Sequence, residues 1–184
     1  MRQCGDCQLC CKLLPVNSLG KGAGVRCRYQ KTGKGCLVYH KAGMPHECAL
    51  WTCRWLVNND TADLSRPDRS HYVLDVIPDH ITMLNNETGA REAIQAVQIW
   101  VDPSFADAHR DPALRRYLER RAEENIVGLV RWDNQRGAVI FPPALSDDRQ
   151  WHEVESNLST KAHSLGETAA ALGGEVINLV MESR

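Results

Sequence analysis

Beyond position 53 this chain contains no cysteine: residues 54–184, 131 in number, hold none, while the first 53 hold eight. Also missing is any apolar run near the roughly 20 residues that a membrane-spanning helix requires. There is no internal repeat and no low-complexity tract. No serine, cysteine or lysine sits in a recognisable nucleophile motif, which turns the reading away from an enzyme. The start, Met1-Arg2-Gln3-Cys4, enters the cysteine run with no apolar leader. The expectation is a soluble, cytoplasmic chain, where thiols stay reduced and clustered cysteines bind metal more often than they form disulfides.

What is present is globular in composition: 184 residues, 43% hydrophobic and 24% charged, enough for one ordinary domain or a small lobe on a larger one. The cysteines open as Cys4-x-x-Cys7-x-x-Cys10-Cys11 and continue at Cys27, Cys36, Cys48 and Cys53. Soft thiolates select zinc, copper(I) or iron–sulfur clusters. Structural zinc takes four ligands in a tetrahedron, so eight cysteines supply two sites with none left over. Adjacent side chains diverge, so Cys10 and Cys11 are poorly placed to grip one ion together. They point instead to one interleaved site with neighbouring centres. An iron–sulfur centre fits nearly as well, because Cys4, Cys7 and Cys10 reproduce the first three ligands of a bacterial ferredoxin run. The fourth ligand would then come from elsewhere, and the run is not repeated.

Charge is divided between the halves. Residues 1–55 carry nine Lys and Arg against Asp6 and Glu47, a formal +7, and residues 56–184 carry a formal −8. Eight thiolates and two divalent ions would bring the first segment to roughly +3. Basic charge at Lys12, Lys21, Arg26, Arg28, Lys31, Lys34, Lys41 and Arg54 thus reads as compensation for thiolate charge rather than as a nucleic-acid surface.

Cys4-Gly-Asp-Cys-Gln-Leu-Cys-Cys11, then Gly35-Cys36-Leu-Val-Tyr39 and the closing Cys48 and Cys53, resemble the CxxCxxCC zinc- or iron-chelating cysteine-cluster family (YkgJ-like). The resemblance covers about residues 4 to 56. It implies metal chelation by Cys4, Cys7, Cys10, Cys11, Cys27, Cys36, Cys48 and Cys53. The family also includes flagellin lysine N-methylase-like proteins, which implies methyl transfer as an alternative. Here Gly20-x-Gly22-x-Gly24 lacks the strand and βα context that seats a nucleoside cofactor.

The pattern along the chain predicts an α+β fold. A loop-rich cysteine lobe, residues 1–57, packs on an α+β lobe, residues 70–184, with a mostly antiparallel sheet and about two helices; the two lobes are separate or one integrated domain. Glycine-rich Leu19–Gly24 and Lys31–Gly35 precede cysteines and are suited to aiming backbone N–H groups at sulfur. Cys48–Leu56 reads as one short helix with Trp51 and Trp55 on a shared face, which makes Cys53 a helical ligand. Asn58–Arg69 reads as a polar linker. Strands are expected at His71–Ile77, ending at Pro78, at Ile81–Leu84 after it, and at Ile94–Val101. Asn85–Gly89 is a turn signal. Asp111-Pro112 is a helix start with Asp as N-cap, followed by the apolar stripe Leu114, Tyr117, Leu118 and Ala122. Val127–Trp132 and Ala138–Phe141 form a hairpin. A last helix at Thr160–Leu172 and a strand at Val176–Val180 close the chain.

Other residues weigh less. His40 and His46 lie among the cysteines, but eight thiols leave them exposed or outer-sphere roles. His71, His80, His109, His152 and His163 are scattered. Asp107, His109 and Asp111 read better as a helix approach with a cap than as a metal triad. Arg115, Arg116, Arg120 and Arg121 read as a solvated face pairing with Glu119, Glu123 and Glu124. Trp100, Trp132 and Trp151 read as core or edge packing. The functional expectation is a non-catalytic metal protein, holding zinc or an iron–sulfur centre, whose α+β lobe meets a protein partner and neither nucleic acid nor membrane. The alternative is an iron–sulfur redox protein or a methylase-like modifying enzyme.

Overall fold

The computed structural model describes residues 2–84, 89–157 and 175–179. In the N-terminal part, regular elements are short: α1 is Leu9–Leu13, β1 Gln30–Lys31, β2 Gly35–Cys36, α2 His46–Leu50, α3 Arg54–Val57 and α4 Pro67–Ser70. The sheet follows, with β3 at Tyr72–Leu84, β4 at Arg91–Val101, β5 at Ile126–Arg131, β6 at Arg136–Phe141, β7 at His152–Asn157 and β8 at Glu175–Leu179; α5, Pro112–Ala122, lies between β4 and β5. The fold is α+β.

The strand order is β7-β6-β5-β4-β3-β8. Pairing is antiparallel between β3 and β4, β5 and β6, and β6 and β7, and parallel between β4 and β5 and between β3 and β8. The parallel β4–β5 pair requires a crossover, which α5 and the 3-10 segment Pro103–Arg110 provide. Asp111 caps α5, its Oδ1 accepting from Ala113 N at 2.9 Å, and Pro112 stands at the first helical turn.

Alternation along β4 sorts the two faces of the sheet. Val97, Ile99 and Val101 share one core with Leu114, Tyr117 and Leu118 of α5 and with Tyr72, Leu74, Ile126, Val130, Ala138 and Ile140. Trp100 and Val73 point the other way, where Cys7, Leu9 and Leu13 cover them. The cysteine-bearing segment therefore sits on the face opposite α5. Gly128 lets α5 approach, since a Cβ there would lie 3.2 Å from Leu118 Cδ1 and 3.3 Å from Ile99 Cδ1.

Several local expectations change. β3 does not stop at Pro78: it runs on to Leu84 with its register shifted between Leu74 and Pro78. A bulge tolerates proline because the missing N–H is not needed there. The segment 58–69 is folded rather than an open linker, with Thr61, Leu64 and Pro67 buried and Trp55 Nε1 donating to Leu64 O at 3.0 Å. Of the arginines on α5, Arg120 and Arg115 reach across the fold, to Asp63 at 3.0 Å and Glu153 at 3.4 Å, while Arg121 pairs locally with Glu124 at 3.0 Å. Most of the 85–89 turn and the Thr160–Leu172 helix lie outside the described residues, whereas the final strand is found as β8 beside β3.

Candidate metal centre

Cys4 and Cys7 bracket a tight turn in which Cys7 N donates to Cys4 O at 3.0 Å. Gly5 occupies the left-handed region there (φ 57°). Two residues on, α1 begins. Leu9 and Leu13 are buried against Val73 and Trp100, and this anchoring fixes where Cys10 and Cys11 stand. β2 is brought against the same turn by Gly35, at φ 78°, whose absent Cβ would lie 2.9 Å from Gly5 O. No other residue fits that approach, and it carries Cys36 to the centre.

Cys48–Leu56 is not one helix. It breaks at Trp51–Cys53 into α2 and α3, and Cys53 is the extended residue before α3, bridging in β fashion to Asp75. Sheet pairing outcompetes the local helical pattern. The break swings Cys53 away from Cys48 and into a small cavity of about 20 Å³ with Cys4, Cys7 and Cys10, walled by Trp55, Leu56, Pro67 and Val73. The remaining cysteines gather around Cys11. Cys27 N donates to Cys11 O at 3.1 Å, the Cys11 and Cys36 thiols share a hydrogen bond, and Cys48 lies within electrostatic reach of Cys11, Cys27 and Cys36. All eight cysteines are free thiols. They fall into two sets of four, Cys4/Cys7/Cys10/Cys53 and Cys11/Cys27/Cys36/Cys48, joined where Cys10 hydrogen-bonds Cys11.

Among the described residues no group of three or more Cys, His, Asp or Glu side chains stands in an arrangement that would hold a metal ion. Burial pushes Cys4 and Cys48 up to about 11 and Cys53 up to about 12. The hydrogen bond from Cys10 to Cys11, with burial second, raises Cys10 and is the main cause that brings Cys11 down to about 7. Backbone N–H groups point at several sulfurs: those of Leu9 and Asp68 at Cys7, Val38 and Tyr39 at Cys36, and Trp55 and Leu56 at Cys53. Such donors stabilise the thiolate, the form that binds metal.

Charge compensation is narrower than the basic composition implies. Lys12 is committed to Asp102, at 2.6 Å, and Arg54 to Asp60, at 3.3 Å. Lys21 is a buried cation placed among thiols, and Arg66 acts on Cys4 and Cys7. The Lys21 ammonium donates to the carbonyls of Lys12 (3.4 Å), Leu14 and Gly22 (3.3 Å), within electrostatic reach of Cys27, Cys11, Cys10 and Cys48. Burial lowers its pKa and those sulfurs oppose the shift.

His40 and His46 are exposed. Asp107, His109 and Asp111 diverge: His109 is held by Ala106 O and Glu153, and Asp111 caps α5 while accepting from the Tyr72 hydroxyl at 2.8 Å. The sequence reading missed Asp68, whose N–H meets Cys7; Pro67 in a helix-start position, followed by Asp68, was the available signal. Comparison with family models, curated proteins and solved structures finds no match.

Proposed function

We propose that this protein is a thiolate metal-binding protein that holds two metal ions, zinc in the first instance, one in each four-cysteine set. The donor chemistry fits: soft thiolates in groups of four are what a closed zinc site uses. The observation that carries the reading is the cavity of about 20 Å³ that Cys4, Cys7, Cys10 and Cys53 line together with Trp55, Leu56, Pro67 and Val73. A space of roughly 10–15 Å³ already admits one water, so this one suits a single ion. Bound there, zinc would supply cross-linking of α1, α3 and the Cys4–Cys7 turn, and the N–H groups at Cys7 and Cys53 would favour the thiolate form of those two sulfurs. The resemblance to the CxxCxxCC cluster family supports the same chemistry.

On this reading the role is non-catalytic, with the α+β lobe available to a protein partner. A second reading, an iron–sulfur centre in a redox or methylase-like protein, is favoured by the ferredoxin spacing of Cys4, Cys7 and Cys10 and by a wider cleft of about 510 Å³ onto which these three open together with Cys11 and Cys36.

Native mass spectrometry of single variants tests the partition. Cys53→Ser and Cys48→Ser should each retain one ion of two, and removal of both residues should leave none. Cys10→Ser should weaken both sites, because Cys10 and Cys11 share a hydrogen bond and a helix. Two ions retained in either single variant would refute the assignment.

A further inference from the structure

The cleft of about 510 Å³ crosses both thiol sets. Cys4, Cys7 and Cys10 reach it from one and Cys11 and Cys36 from the other, and Arg2, Lys34, Tyr39, Leu56 and Val57 complete most of its wall. Its size is within the roughly 300–1,000 Å³ typical of small-molecule sites, and far beyond what one ion needs. No carboxylate lines it. Among the described residues Arg2 and Lys34 have no acidic partner. The Arg2 guanidinium lies over Trp55 and donates to Thr61 Oγ1 at 2.8 Å and to Trp55 O, so its position is fixed while its charge stays uncompensated. Lys34 is exposed on the turn between β1 and β2. Tyr39, 42% exposed, adds a hydroxyl-bearing ring beside Cys36.

A cleft with five thiols, two uncompensated cations and apolar Leu56 and Val57 suits a ligand that is anionic and thiophilic. We infer that the cleft is a loading port that receives metal as its complex with an anionic low-molecular-weight thiol. This inference rests on the metal-binding reading above. The step is a ligand exchange: the metal's bond to the carrier sulfur breaks, a bond to a cysteine Sγ forms, and the cysteine proton leaves on the released carrier thiol. No electron is transferred. Arg2 and Lys34 hold the carrier's carboxylates at the mouth while its sulfur faces the cysteines.

The test follows cobalt(II) transfer to the full chain by the tetrathiolate absorption that appears on binding. Cobalt is supplied as the free ion, with glutathione as an anionic thiol, with 2-mercaptoethanol as a neutral thiol, and with citrate as an anion without sulfur. Glutathione delivery is expected to be fastest. In Lys34→Glu it should slow roughly three- to tenfold, while 2-mercaptoethanol delivery should stay unchanged. Lys41→Glu, an equal charge reversal on the same lobe but outside the cleft, should leave all rates alone. Equal rates for glutathione and 2-mercaptoethanol, or citrate matching glutathione, would overturn the port. A chain that gains no tetrathiolate absorption even from free cobalt would overturn the metal reading itself, a result distinct from failure of the port.

Discussion

Lys12 Nζ stands 2.6 Å from Asp102 Oδ2 and 2.7 Å from Oδ1, joining the helix that carries Cys10 and Cys11 to the end of β4. Asp102 is nearly buried and also accepts from Ser104 N at 3.0 Å. The position of the cysteine doublet is thus set by the sheet as well as by its own loops. Asp102→Asn should destabilise the protein by about 1–2 kcal/mol, read as a lower urea midpoint. An unchanged midpoint would show that the pair contributes nothing to docking.

The same pair sets a pH dependence. Burial pulls the Asp102 carboxyl upward, but the Lys12 ammonium and the Ser104 N–H outweigh it, leaving it below the ordinary carboxylate value. An unfolded Asp titrates near about 3.9, so the native state favours the ionised form. The stabilisation is complete above that value and is lost as pH falls through the lower folded value. Wild type should lose more stability than Asp102→Asn between about pH 5 and 3; parallel losses would contradict this.

Gly35→Ala should loosen the centre without touching a sulfur. The new Cβ meets Gly5 O at 2.9 Å, and the φ of 78° is strained for any L residue. The expected result is a loss of about 1–3 kcal/mol in stability and weaker metal binding by the Cys11/Cys36 set, measured by competition with a chelator.

On the opposite face, Gly128→Val should cost about 1–3 kcal/mol by overpacking against Leu118, Ile99 and Ile140. Thermal melts with and without metal should both shift downward, because this site supports α5 and not the thiols.

Lys21→Met removes the buried ammonium amid Cys10, Cys11, Cys27 and Cys48. Affinity of the Cys11 set for zinc should fall about tenfold, or roughly 1.4 kcal/mol, with the Cys53 set retaining its ion. Equal losses at both sets would mean that Lys21 acts only by holding the chain around α1.

Much of the sheet was legible because its signal is local. Alternation along Ile94–Val101 sorted residues to the correct faces, and Asp111-Pro112 marked a helix start that the cap geometry bears out. The misreadings came where distant pairing decided the outcome. Cys48–Leu56 has helical spacing, but Cys53 bridges Asp75 and the helix breaks. Pro78 looks like a strand end to any local rule, yet the register shift absorbs it. Asn58–Arg69 is polar in composition, and its burial depends on Thr61 and Leu64 meeting partners far along the chain.

For the centre, sequence identified the eight cysteines, but it expected the Cys10 and Cys11 side chains to diverge, whereas the two thiols interact with each other. It did not group the cysteines. Cys53 joins Cys4, Cys7 and Cys10 rather than Cys48 five residues before it, because the extended turn at Trp51–Cys53 separates the two. Lys12 and Lys21 looked alike in the sequence as compensating cations; only burial and the nearby Asp102 tell them apart.

The most direct measurement is metal and sulfide content with visible absorption on protein prepared anaerobically. The account predicts a colourless protein with about two zinc ions per chain, the number that two four-thiolate sites require. A brown protein containing iron and sulfide would contradict the zinc assignment, and a metal-free protein whose cysteines are paired as disulfides would contradict metal binding altogether.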